Sequence, residues 1–316
     1  MISNERNDQP GFAGRRRFLQ NVVGVAAVAA MGATANAATS GRPRLGVVTS
    51  ATGKGGPDAG IARVHALGFQ TCQVHVGMSP PDMVEPLREA LAKYQVEATA
   101  VMTAGEGKTI WDFYQGPLTI GIVPPATRAA RIDALKRASD LGKKLGIEAV
   151  HTHCGFIPEN PNVPLYSDTV AAIRDVASYC KANGQTFMME TGQETPITLL
   201  RAIEDTGLDN VRVNLDTANL ILYGKGEPVG ALDVIGKYVH GLHAKDGLYP
   251  TDPKKLGKEV PIGEGRVNFP EVIQGLKKLN YTGPITIERE TSGTQQEADI
   301  RASIVFLEHL IASSYA

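Results

Sequence analysis

The sequence predicts a closed (β/α)8 barrel, and three observations predict it. Short apolar runs alternate with amphipathic helical patterns eight times between residues 44 and 312. No hairpin turn bounds the apolar runs, so the strands are expected to be parallel and covered by helices. The last four runs each end in a carboxylate or an imidazole, and in a barrel the chemistry lies at the C-terminal ends of the strands.

The elements follow in order. Strands are expected at 44–50, 71–77, 97–105, 148–155, 186–191, 211–217, 239–245 and 284–290. Helices are expected at 58–67, 80–94, 126–145, 167–182, 196–206, 228–237, 270–279 and 297–312. Gly68 stops the first helix, and Pro80 sits near the start of the second, where a missing N–H costs nothing. The glycine-rich stretch 53–57 lacks the Lys-Ser/Thr of a phosphate loop and reads as a strand-to-helix connection. The longest connection, 107–125, carries the only tryptophan, Trp111, with Phe113 and Tyr114. A loop of that length covers a ligand site or packs on the barrel rim.

Residues 1–37 read as an export signal rather than as part of the fold. Arg15-Arg16 with Phe18-Leu19 is a twin-arginine pattern, the run Val22 to Met31 is weakly apolar, and Ala35-Asn-Ala37 is a small-x-small cleavage site. The run is too short for a spanning helix. The mature chain, 38–316, is then expected to be a single barrel domain in the periplasm or outside the cell, without stable membrane insertion. Its partner during export would be the twin-arginine machinery.

The whole chain carries a formal charge of −1, and the signal removes more Arg than acid. No basic block remains, which argues against a nucleic-acid partner. The three cysteines, Cys72, Cys154 and Cys180, have no CxxC spacing, so neither a zinc ribbon nor a redox motif is indicated. Cys154 reads as a buried filler or as a neighbour of the site.

Glu190, Asp216, His243 and Glu288 occupy equivalent tips of strands five to eight. Three carboxylates and one imidazole suit one divalent ion of the hard or borderline kind: Mn, Mg, Co or Zn, with Mn favoured. Any one of them alone is as well explained as a hydrogen-bonded polar residue at a barrel mouth. Together they suit proton transfer beside a ketone, with Glu190 and Glu288 as acid and base. His151 and His153 share one face of strand four. His153, nearer the tip, binds a substrate hydroxyl or pairs with a neighbour, whereas His151 reads as structural and His75 as ambiguous. Lys245 shares the face of His243 and either holds a substrate oxygen or pairs with Asp246 or Glu190. Glu290 shares the face of Glu288.

Met189-Glu190, Asn214-Leu-Asp-Thr-Ala-Asn219, Leu242-His-Ala-Lys-Asp246, Pro261 to Phe269 and Ile287-Glu288 carry a resemblance. The chain resembles the sugar phosphate isomerase/epimerase superfamily, the xylose-isomerase-like TIM barrels, and within it the tagatose/psicose 3-epimerase and hydroxypyruvate-isomerase branches. The resemblance implies Glu190, Asp216, His243 and Glu288 as metal ligands and Glu190 and Glu288 as the acid/base pair. Where the epimerases have a second His three residues past the Asp ligand, this chain has Asn219, an amide suited to a sugar hydroxyl. The expected activity is a metal-dependent isomerisation or epimerisation of a keto sugar or related polyol. His153, Asn219, Lys245 and Trp111 are the expected substrate contacts. A dehydratase using the same enolate, or a secreted sugar-binding barrel without catalysis, are the alternatives. A homo-oligomer is expected from the resemblance alone.

Overall fold

A computed structural model describes residues 41–78 and 81–316. The twin-arginine pattern and the cleavage site lie outside the described residues.

The barrel strands are β1 (Leu45–Ser50), β2 (Thr71–His75), β3 (Glu97–Met102), β4 (Ala149–Thr152), β5 (Thr186–Glu190), β6 (Val211–Asp216), β7 (Val239–Ala244) and, after a hairpin, β10 (Ile285–Ile287). All eight are parallel and each pairs with its neighbour in sequence order. Leu45 of β1 pairs with Ile285 of β10 and closes the ring. Closure leaves the barrel sheet without an edge. The apolar residues of these strands are almost wholly withdrawn from water, as Val74, Val101, Val150, Phe187, Val213 and Ile285 show. Each such side chain contributes about 1.5–3 kcal/mol by its removal from water.

Covering helices follow the strands: α1 (Gly56–Ala66), α2 (Val84–Tyr94), α3 (Gly116–Thr119), α4 (Pro125–Leu145), α5 (Pro164–Ala182), α6 (Pro196–Thr206), α7 (Asn219–Leu222), α8 (Pro228–Ile235), α9 (Phe269–Lys278) and α10 (Gly293–Ser314). Six of the longer ones, α1, α4, α5, α6, α8 and α9, carry Pro at their first or second position, where the backbone N–H has no partner to lose. Among the described residues no helix is long and apolar enough to cross a membrane.

The eightfold alternation holds, with two corrections. Short helices α3 and α7 lie in the connections after β3 and β6. A two-stranded antiparallel hairpin, β8 (Asp246–Leu248) with β9 (Lys258–Val260), follows β7. It exists because Asp246 is a hub: its carboxylate accepts from the N–H groups of Gly247, Gly263, Gly265 and Val267. Gly265 has to be glycine there, since a Cβ would come 2.0 Å from Oδ1 of Asp246.

Two strand pairs break register. The β2–β3 ladder shifts between Cys72 and Gln73, and the β6–β7 ladder between Val213 and Asn214. Such irregularities re-aim side chains locally. Cys72, Cys154 and Cys180 are buried, free thiols, and all three pack in the hydrophobic core.

Candidate metal centre and its cleft

Strand pleating puts Glu190, Asp216 and His243 inside the barrel at one level. The sequence ends each strand there, and the chain must leave the ladder. Hydroxyls take over the backbone groups that the ladder no longer serves. Thr191 Oγ1 accepts from the N–H of Asp216 at 2.9 Å and donates to its carbonyl at 3.0 Å. Thr217 Oγ1 likewise accepts from the N–H of Lys245 at 3.1 Å and donates to its carbonyl at 2.6 Å. The tips of β5, β6 and β7 are thereby tied side by side.

Asp216 is held by one oxygen only. Its Oδ1 accepts from the N–H groups of Ala218 at 2.8 Å and Asn219 at 2.7 Å, at the entry to α7. Its Oδ2 is buried without a hydrogen-bond partner. A buried carboxylate oxygen without a partner is costly unless something positive is meant to meet it.

His243 lies beside that oxygen. Its Nδ1 is 3.0 Å from Glu190 Oε1, 3.4 Å from Glu288 Oε2 and 4.0 Å from Asp216 Oδ2. Glu190, Asp216, His243 and Glu288 bring one ligand atom each within 4.8 Å of one another. His151, Glu190 and His243 form a second such group. The donor set of carboxylate oxygens and imidazole nitrogen, with a free Asp216 oxygen aimed inward, fits a divalent metal ion.

Electrostatics at the centre are tightly balanced. Burial pushes the Glu190 carboxyl up, but His153, His243 and His151 around it outweigh that and hold it well below the usual range. For Glu288, burial is likewise outweighed by Lys245 and His243, and the net shift is downward. Asp216 is shifted well upward: burial dominates, Lys245 opposes it, and Glu190 and Glu288 add to it. Burial lowers the His243 imidazole, yet Glu190 and Glu288 more than reverse this.

Above these groups opens a cleft of about 140 Å³. Its walls include Glu190, Glu288, Glu290, His151, His153 and Trp111. Trp111 meets His153 edge-on, with ring centroids 4.9 Å apart, and is 48% exposed. The long connection therefore reaches the cleft mouth. His153 Nε2 is 3.0 Å from Glu190 Oε2.

One expectation changes and two residues are placed. His151 is buried with its Nε2 2.9 Å from Glu190 Oε2, and it lines the cleft. Lys245 pairs with neither Asp246 nor Glu190. Its Nζ contacts Glu288 Oε2 at 3.1 Å and Glu290 Oε1 at 2.7 Å, because its face of the strand end looks toward β10. Asn219 is buried, and it is its backbone N–H that reaches Asp216.

Sequence reasoning passed over Gln73, Asn214, Thr191 and Thr217. The two threonines follow candidate ligands directly, and that position was their available signal. Gln73 carries none, as a single amide within an apolar strand.

A family model for xylose isomerase-like TIM barrels matches residues 61–310. The crystal structure of a xylose isomerase domain protein from Planctomyces limnophilus superimposes with a TM-score of 0.81 at 32% identity, covering 86% of this chain and 99% of that one. A D-psicose 3-epimerase structure determined in the presence of D-fructose gives 0.61 at 18% identity, covering 85% of this chain and 99% of that one, a likeness of fold. An uncharacterized protein of Methanocaldococcus jannaschii is 28% identical over 179 residues, 52% of this chain and 58% of that protein. The chain thus spans less than two thirds of that relative's length. By the match to the family model and the likeness to the Planctomyces protein, this chain belongs to the family of xylose isomerase-like TIM barrels.

Proposed function

We propose that the protein is a divalent-metal-dependent isomerase or epimerase of an unphosphorylated keto sugar or related polyol. One observation carries the reading. Glu190 and Glu288 both line the cleft and both present an oxygen to the same nitrogen of His243, beside the unpartnered oxygen of Asp216. The buried cluster and the barrel together support a metal-dependent enzymatic activity.

Glu190, Asp216, His243 and Glu288 would hold the ion, with manganese favoured. When bound, it supplies the positive charge that stabilises an oxyanion developing on the substrate. The proton chemistry belongs to the carboxylates. One takes a proton from the carbon beside the ketone, leaving the electron pair in an enediolate. The other returns a proton to that carbon from the opposite face, giving the epimer. Return by the first carboxylate to the neighbouring carbon gives the isomer instead.

Glu190 and Glu288 enter from β5 and from the end of β10, with the staves β6 and β7 between them, which suits a two-base exchange. Both are held ionised, so either can take the first proton, and the one that returns a proton must first gain it from water. His153 and Trp111 line the substrate side of the cleft. Lys245, already engaged by Glu288 and Glu290, orients Glu288 and is not left free for a phosphate. Asn219 would reach a substrate hydroxyl only by turning its amide toward the cleft.

The same reading takes 38–316 as one catalytic domain and 1–37 as a cleaved twin-arginine signal. It takes the mature protein to be periplasmic or extracellular, where a free sugar is the more available substrate. The sequence at 14–20 and 35–37 supports this.

The test is exchange of substrate C–H for deuterium in heavy water with Mn2+ present, using D-fructose and related ketoses. Exchange with epimer or isomer formation supports the reading. Water loss without exchange into recovered substrate would point to a dehydratase. Tight sugar binding with no exchange would leave a binding protein.

A further inference from the structure

Resting on the metal reading above, we infer that Gln73 is a positioning residue that fixes the His243 ring for metal ligation, as part of an amide relay crossing the barrel interior.

The relay consists of three side chains that are fully withdrawn from water. His243 Nε2 lies 3.0 Å from Gln73 Oε1, and Gln73 Nε2 donates to Asn214 Oδ1 at 2.9 Å. The donation to Asn214 uses the amide nitrogen, so the oxygen of Gln73 is what faces the imidazole. An amide oxygen accepts and cannot donate. Nε2 of His243 therefore keeps its hydrogen, and Nδ1 is the nitrogen whose lone pair is left for an ion. It is Nδ1 that faces Glu190, Glu288 and Asp216.

Two further features show that the fold makes room for this relay. The ladder irregularities fall beside its two amides, at Cys72/Gln73 and Val213/Asn214. Gly241, the β7 residue paired with Asn214, has to be small. A Cβ there would come 2.5 Å from Asn214 Oδ1 and 3.3 Å from Gln73 Nε2. Beneath the relay, a recess of about 350 Å³ at the opposite end of the barrel reaches Gln73 and Gly241. Gln73 is thus the floor between that recess and the metal centre. A plain core position would carry an aliphatic residue and need neither bulge.

The experiment is Mn2+ titration calorimetry on metal-stripped protein, with the thermal midpoint of each metal-free variant measured alongside. Gln73→Leu removes the acceptor and keeps the bulk, with Gln73→Met as its replacement should Leu prevent folding. Either is expected to weaken Mn2+ binding about 10- to 100-fold, as loss of a ligand's orienting partner does elsewhere. Gln73→Glu keeps an acceptor for Nε2–H and is expected to bind Mn2+ close to the parent. A change confined to the thermal midpoint, with Mn2+ affinity intact in the Leu or Met variant, would reduce Gln73 to a packing residue. Weakening by Glu as severe as by Leu would also overturn the inference, because shape and not the acceptor would then matter. A parent protein that binds no divalent ion would remove the metal reading itself and this inference with it. Tight binding by both parent and Leu variant would remove this inference alone.

Discussion

Nδ1 of His243 lies 3.0 Å from Oε1 of Glu190, in the position where a metal ligand's lone pair would point. Burial alone would strip the imidazole of its second proton, but Glu190 and Glu288 reverse that and hold it on well above the ordinary value of 6.5. Burial also keeps Asp216 protonated well above its ordinary range. Protons thus occupy the groups that an ion needs.

Metal affinity is accordingly expected to rise with pH, and binding to release protons. The same linkage acts on stability. The contribution of His243 to the metal-free fold is complete below its unfolded value of 6.5 and is lost as the pH climbs through its raised folded value. Calorimetry of Mn2+ binding at about pH 6 and about pH 8, in buffers of different ionisation enthalpy, measures the released protons directly. An affinity flat across that range, with no buffer dependence, would contradict the arrangement.

Glu190→Gln and Glu288→Gln each keep the shape of the side chain and remove its base. Loss of a positioned acid or base lowers proton transfer by about 10²- to 10⁴-fold. Both variants are expected to fall by that order in solvent-deuterium exchange into a ketose, read by NMR. Parent-like exchange in both would mean that other groups move the proton.

The four candidate ligands were legible because each ends an apolar run, and a barrel collects such ends at one face. The pleat also made His151 and His153 cofacial, although it could not say that both would converge on Oε2 of Glu190. Gln73 was invisible for a physical reason. Its partners Asn214 and His243 lie 141 and 170 residues away along the chain. No local period records a contact made by barrel closure. The β8–β9 hairpin was hidden likewise: its strands are three residues each, and its cause is Asp246 gathering amides from up to 21 residues downstream.

Glu194, which is not a candidate ligand, gives a separate stability test. It is 2% exposed, and burial pushes its carboxyl up from 4.5 to about 8, aided by Glu190 and opposed by its own backbone N–H and Lys225. The folded protein therefore binds this proton more tightly than the unfolded chain does. Stability from this group is complete below about pH 4.5 and is lost as the pH rises through about 8. Glu194→Gln keeps a neutral side chain at every pH. Relative to the parent, its melting temperature is expected to improve by a few degrees or more between about pH 5 and about pH 9. A parent-to-variant difference that stays constant across that range would show that Glu194 does not titrate there.

Trp111 separates substrate contact from metal contact. It packs edge-on against His153 at the cleft mouth and touches none of the four candidate ligands through any hydrogen bond. An aromatic contact of this kind is worth about 0.5–1.5 kcal/mol. Trp111→Ala is expected to raise KM for a ketose a few-fold to about tenfold, while Mn2+ affinity stays at the parent value. Equal loss of both would place Trp111 in the support of the metal centre instead.

The loop that carries Trp111 is held by Arg128, which donates to the carbonyls of Ile122 and Val123, and by the buried Arg131, which sets the last expectation. Arg131 on α4 is 1% exposed, and its guanidinium donates to the carbonyls of Glu106 at 3.0 Å and Gly121 at 2.7 Å. Those two carbonyls lie toward opposite ends of the connection between β3 and α4, so one side chain sets the span of the loop. Gly105 accommodates it closely: a Cβ there would meet the Arg131 Cγ at 2.7 Å. Arg131→Met keeps the stem and leaves both carbonyls without their donor, at about 1–3 kcal/mol for each buried group. The melting temperature should fall, and KM should rise more than in the Trp111 variant, because the loop loses the side chain that joins its two ends while Arg128 still holds Ile122 and Val123. Combining Arg131→Met with Trp111→Ala should add little further loss of substrate affinity, since the ring is then no longer held at the cleft. Full additivity in that double variant would show that Arg131 supports the fold without positioning Trp111.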